Sequence, residues 1–140
     1  MRNMAIKVVD RLFIVVYGPD GPSDEEWNGY LKDVERHGID RTQQLIVTPG
    51  GGPNAAQRGT LNALLAGRSV PVAVMSDSAR IRGVVTALSW FNRSIRAFPP
   101  NGLHDALAYL EIPATRGDLI QREILRLRAL LSGNERAMAG

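Results

Sequence analysis

The stretch 45-LIVTPGGGPNAAQRGTLNALLAG-67 holds a short apolar run, three glycines between two prolines, and a longer periodic segment. Leu45, Ile46 and Val47 read as a short buried strand. Residues 54–66 read as a helix with Leu61, Leu64 and Leu65 turned inward, and Gly67 stops it. A strand feeding a helix through a short connection is the repeating unit of an α/β sheet. The glycines allow three readings: a phosphate cradle, a contact loop, or a tight turn.

The same unit recurs on both sides. Upstream, 4-MAIKVVD-10 and 11-RLFIVVYG-18 are two runs rich in β-branched residues that meet at Asp10-Arg11, as an antiparallel pair would. The second run is apolar at nearly every position, as expected of a strand covered on both faces. After the break 18-GPDGP-22, Ser23 and Glu26 form a capping box. Trp27, Tyr30, Leu31 and Val34 then make one apolar stripe, and Gly38 closes that helix.

Downstream, 70-VPVAVM-75 predicts a strand. The segment 76-SDS-78 leads into a helix with Ile81, Val84, Val85 and Leu88 on one face. Next, 95-IRAF-98 predicts a short strand, 99-PPNG-102 a break, and 103–110 a helix. The order β-β-α-β-α-β-α-β-α implies right-handed crossovers and a mixed, mostly parallel sheet of about five strands, with the first strand antiparallel. After Pro113 the pattern changes. Thr115 is expected to cap a further amphipathic helix carrying Leu119, Ile120, Ile124, Leu127, Leu130 and Leu131, and 133-GNERAMAG-140 to fray. Residues 1–112 are thus expected as one domain and 113–140 as an added helix and tail. That helix can lie over the sheet or form a homodimer through 116–132 with a second copy.

The 140 residues suffice for one domain with its own core. Cysteine is absent, which excludes disulfides, thiolate nucleophiles and cysteine zinc sites and fits a reducing cytoplasm. No apolar run is long enough to span a bilayer, and no signal peptide is visible, so a soluble cytoplasmic protein is expected. Net charge is +3, and the basic residues are spread along the chain. Nucleic-acid binders bunch theirs, with aromatics where bases stack, so no nucleic-acid partner is expected.

In an open α/β sheet, sites collect beyond the carboxyl ends of the parallel strands. Four loops should meet there: 18–23, 48–54, 76–80 and 99–104. At 48-TPGGGPN-54 bare glycine backbone at a helix start suits an anion. Yet neither GxGxxG nor a P-loop lysine is present, and Pro53 removes one N–H from the first turn. At Ser76, Asp77 and Ser78 the ordinary role is helix capping. The functional one is phosphoacceptor or ligand contact, with Arg80 and Arg82 as anion partners. His37 suits a helix C-terminus. His104 opens the last sheet helix, but a Ser76–His104 hydrolytic pair lacks the GxSxG elbow. No His or carboxylate cluster has metal-ligand spacing, so no metal and no cofactor is expected. Trp90 and Phe91 read as packing residues, and Arg93 and Arg96 as solvated residues flanking an edge strand.

The element order and the stretches 47-VTPGGGPNAAQRGTL-61, 72-VAVMSDSARIRGVVTALSWFN-92 and 95-IRAFPP-100 resemble the STAS fold of bacterial anti-sigma-factor antagonists. They are closer to the divergent STAS-like proteins grouped with the sporulation antagonist SpoIIAA. The resemblance covers residues 4 to about 112. It implies a switching module for signal transduction, not an enzyme, with a phosphoacceptor Ser or Thr between a central strand and the second helix. A kinase would modify it, and the added charge would release or capture a partner. Here that loop holds no serine, and Thr48 is its sole hydroxyl. The usual acidic residue ahead is missing.

The expectation is a non-catalytic regulatory or scaffolding module that binds a protein partner: an anti-sigma factor, a kinase or a scaffold. Contact would run through Thr48, Gly50, Gly51, Gly52, Asn54, Ser76, Asp77, Ser78 and Arg80, with Thr48, Ser76 and Ser78 as candidate phosphoacceptors. The alternative is a small-ligand sensor that binds a nucleotide, lipid or other anion at residues 50–54.

Overall fold

The computed structural model describes residues 2–89 and 94–139. Strands β1 (Met4–Val9) and β2 (Leu12–Tyr17) form an antiparallel hairpin in which Val9 faces Leu12. Asp10 turns the chain at φ 56°, a left-handed conformation that Asp tolerates better than most residues. There follow α1 (Asp24–His37), β3 (Gln43–Val47), α2 (Ala55–Leu65), β4 (Val72–Met75), α3 (Ala79–Ser89), β5 (Ile95–Phe98), α4 (Leu103–Tyr109) and α5 (Gly117–Ala139). The five strands lie in the order β1-β2-β3-β4-β5, and β2 to β5 are all parallel.

Each crossover therefore steps one strand in the same direction. Crossovers of one hand leave their helices on one face of such a sheet. On that face Trp27, Tyr30 and Val34 of α1 bury against Phe13, Val15 and Tyr17, and Leu61, Leu64 and Leu65 of α2 border the same cluster. The opposite face is covered by α4 and α5. There Ala106, Leu107, Leu110, Ile120, Ile124 and Leu127 pack on Ile14, Val16, Leu45, Val47, Ala73 and Met75. All six positions of β2 are buried because helices cover both its faces.

Polar ties align the helices over the sheet. The Trp27 indole N–H donates to Gln57 O and to Thr60 Oγ1, both at 2.9 Å, and joins α1 to α2. The Tyr30 hydroxyl donates to Gln44 Oε1 at 2.5 Å inside the core.

Several local expectations change. β3 begins at Gln43 and β4 only at Val72, although Val70 is buried. Val84 is 51% exposed while Val85 is buried, so the inward face of α3 is narrower than the apolar stripe. Thr115 does not cap α5. It sits within a 3-10 turn, Ala114–Arg116, and α5 opens after it at Gly117. The helix continues to Ala139, through the segment expected to fray. Arg96 is not merely solvated, because its guanidinium lies 4.9 Å from the Tyr109 ring centre. Trp90, Phe91 and Arg93 lie outside the described residues, as does the Leu88 side chain. Among the described residues no helix is long and apolar enough to cross a membrane.

Candidate functional site

The parallel strands deliver their carboxyl ends to one edge. Because β1 is antiparallel, the chain start also arrives there, and Gly18 N–H donates to Asn3 O at 2.9 Å. Glu26, the N3 residue of α1, secures the arrangement. Its Oε2 accepts the N–H groups of Asn3 at 3.0 Å and Met4 at 3.2 Å, and its Oε1 accepts that of Ser23 at 2.9 Å. Burial alone would raise the Glu26 carboxyl, but these backbone donors and the Ser23 hydroxyl hold it below its ordinary value.

The glycine loop has a steric reason. A Cβ at Gly51 would stand 2.2 Å from Gly18 O and 2.5 Å from Asp20 O, and one at Gly21 would stand 2.5 Å from Gly52 O. The β2–α1 and β3–α2 loops thus touch backbone to backbone, which only glycine permits. Thr48 braces the turn: its hydroxyl donates to Gly51 O at 2.5 Å and accepts the Gly50 N–H at 3.0 Å. Beyond the loop, Asn54 and Gln57 form a capping box, and the Gln57 amide donates to Pro22 O and Asp24 Oδ1, both at 3.0 Å.

The starts of the three crossover helices are already served by the chain's own side chains, whereas α4, which opens after Gly102, has no side-chain cap. Ser23 accepts the Glu26 N–H, Asn54 that of Gln57, and Ser78 that of Ile81. An anion at these termini would compete with three built caps.

The open concavity lies elsewhere on the same edge. A cavity of about 620 Å³ opens where Val16, Val47 and Met75 end their strands, on the α5 side of the sheet. Arg128, Leu131 and Ser132 of α5 wall it, and Arg2, Asn3, Pro19, Asp20, Pro49 and Pro100 also line it. Its position follows from topology. The loops after β2, β3 and β4 bend toward the crossover helices and leave the edge open on the opposite side. The mouth carries both signs, with exposed Arg2 and Arg128 beside exposed Asp20 and Asp77.

Of the expected site residues, Thr48, Ser76 and Asp77 line this cavity, whereas Gly50, Gly51, Gly52, Asn54, Ser78 and Arg80 do not. Gly50, Asn54 and Arg80 are exposed on the rim, and Gly51 is buried beneath it. Among the candidate phosphoacceptors, Thr48 is 5% and Ser76 2% exposed. Ser76 Oγ accepts the Ser78 N–H at 3.1 Å. Ser78 is half-buried and caps α3, which makes it the least buried residue of the three. His104 is exposed and does not line the cavity. His37 Nδ1 lies 2.9 Å from Asp33 O, and its ring meets Phe13 edge-on, which accounts for it structurally. Tyr17, which also lines the cavity, has its phenol pushed up by burial and keeps its proton.

Arg2, Asn3, Arg128 and Ser132 were not legible as site residues, because each depends on where a chain end returns to the sheet. Among the described residues no group of three or more His, Asp or Glu is placed to hold a metal ion. No protein-family model matches the chain, and no curated protein and no solved structure matches it either.

Proposed function

We propose that this chain is a non-catalytic, STAS-like regulatory or scaffolding module whose carboxyl rim receives a segment of a protein partner. The cavity beneath α5 is the observation that carries the reading. Its floor is apolar, from Val16, Val47, Met75 and Leu131, and its mouth pairs Arg2 and Arg128 with Asp20 and Asp77. An apolar anchor flanked by charges of both signs is what a peptide segment offers, and an isolated anion would meet two carboxylates as well as two arginines. The element order supports the STAS-like assignment. Phosphorylation suits Ser78 best, since a phosphate at a helix N-terminus, near the Arg80 and Arg82 positions, is electrostatically favoured.

The test is capture of partners from native lysate by the parent chain, by Arg128→Glu and by Asp77→Lys. A specific protein retained by the parent and lost from both variants supports the reading. A protein held equally by all three removes the cavity from consideration.

The cavity volume favours one second reading, a small anionic ligand held by Arg2 and Arg128, since ligand pockets commonly span about 300–1,000 Å³. Thermal-shift screening separates the two. A ligand at about 100 times its Kd adds about 2.7 kcal/mol to the folded state, and Arg128→Glu should abolish that gain. A flat response to nucleotides, phosphates and lipids leaves the peptide reading alone.

A further inference from the structure

Helix α5 carries a second apolar surface besides the one it docks. Ile120, Ile124 and Leu127 face the sheet and are buried. Arg128 and Ser132 face the cavity with Val47 and Met75, which marks that flank of the helix as pointing toward β3 and β4. At about 100° per residue, Leu119, Glu123, Arg126 and Leu130 fall on the other flank, toward β1 at the sheet edge. Leu119 is 41% and Leu130 42% exposed. Between them Glu123 has only 14% of its side chain exposed, and its Oε2 makes no hydrogen bond. Arg126 Nη1 lies 3.8 Å from that oxygen, on a side chain that is itself 68% exposed.

These four residues form a palindrome. The midpoint of Leu119 and Leu130 along the helix coincides with the midpoint of Glu123 and Arg126. A twofold rotation through that point carries leucine onto leucine and carboxylate onto guanidinium. An isologous interface requires that self-complementarity.

We propose that a second copy of this chain docks antiparallel on the β1-side flank of α5. The twofold sets Leu119 against the second copy's Leu130, and Glu123 against the second copy's Arg126. Glu123 and Arg126 of each copy then face opposite charges across the interface, and Leu119 and Leu130 of each copy are covered, while Leu125, 53% exposed, lies off this flank. The surface is separate from the rim and does not depend on what the rim binds.

The test is sedimentation equilibrium of the full chain from micromolar to millimolar concentration, with charge-reversed variants. Glu123→Arg places arginine against arginine at both symmetry-related contacts, and Arg126→Glu places carboxylate against carboxylate. Each should weaken the dimer by about tenfold or more. The double variant Glu123→Arg with Arg126→Glu should regain the parent's dissociation constant. An equimolar mixture of the two single variants should form a mixed dimer, because both of its contacts again pair opposite charges. Leu130→Ser, at an exposed position, should weaken association without lowering the urea midpoint measured at a concentration where the parent is monomeric. A parent chain that stays monomeric throughout overturns the proposal and leaves the flank to solvent or to another protein's helix. A dimer unaffected by either single reversal overturns it as well.

Discussion

Replacing Gly51 with alanine tests how closely the two rim loops meet. The added methyl carbon would stand 2.2 Å from Gly18 O and 2.5 Å from Asp20 O, against roughly 3.5 Å for an unstrained contact. Backbone oxygens cannot swing aside, so one loop must retreat by about 1 Å. Forcing extra atoms into a packed site costs about 1–3 kcal/mol. The retreat also strains two hydrogen bonds, Thr48 to Gly51 O and Gly18 to Asn3 O, each worth about 0.5–1.5 kcal/mol. A loss of about 3 kcal/mol results, equivalent to a fall in Tm of about 6–12 °C for a chain of this size. Urea and thermal unfolding measure it. Gly59→Ala is the control, because it lies within α2 with nothing within 4 Å of its added Cβ; it should gain about 0.5–1 kcal/mol from helix propensity. If Gly51→Ala unfolds within about 0.5 kcal/mol of the parent, the loops are not in backbone contact and the steric account of the glycines is wrong.

Ile124→Ala should cost about 2–5 kcal/mol by emptying a buried position between α5 and the sheet; a midpoint equal to the parent's would mean that α5 does not dock. Trp27→Phe deletes the donor shared by Gln57 O and Thr60 Oγ1 and should cost about 2 kcal/mol, read from the urea midpoint. The carboxyl of Glu26 is held below its unfolded value, so its contribution is fully present above the unfolded pKa of about 4.3 and is lost as pH falls through the lower folded value. The stability gap between the parent and Glu26→Gln should therefore be constant near neutrality and shrink in acid. A gap that widens below that pH would contradict the bonding described for Glu26.

Elements set by local periodicity were legible. The Ser23 capping box, the stripe of Trp27, Tyr30 and Val34, and the all-apolar β2 each declare themselves within a few residues. The mostly parallel sheet followed from alternation of strands and helices. What failed was decided at longer range. Val84 matches the α3 stripe but faces solvent, because that helix covers the sheet with a narrow face only. Thr115 has the chemistry of an N-cap, yet the chain forms a 3-10 turn there before α5 begins. Whether α5 docked or stayed free could not be read from its stripe, since an apolar face needs a partner without specifying which. The structure divides that face: Ile120, Ile124 and Leu127 go to the sheet, and Leu119 and Leu130 stay out.

The rim shows the same division at the level of the site. Strand direction alone predicts that the loops after β2, β3, β4 and β5 share an edge, and they do, with Thr48, Ser76, Asp77 and Pro100 around one cavity. Which side of that edge stays open is a separate matter. Consecutive strand order places the crossover helices on one face, so their loops fill that side and their N-termini are capped by Ser23, Asn54 and Ser78. The opposite side is left concave until a chain segment from outside the repeat covers it, and here Arg128, Leu131 and Ser132 of α5 are that segment. A glycine-rich loop attracts attention in sequence because glycine is rare in such density. In the fold, Gly51 is spent on bringing two loops together, and the cavity mouth takes its positive charges from Arg2 and Arg128, far apart along the chain, beside the carboxylates of Asp20 and Asp77.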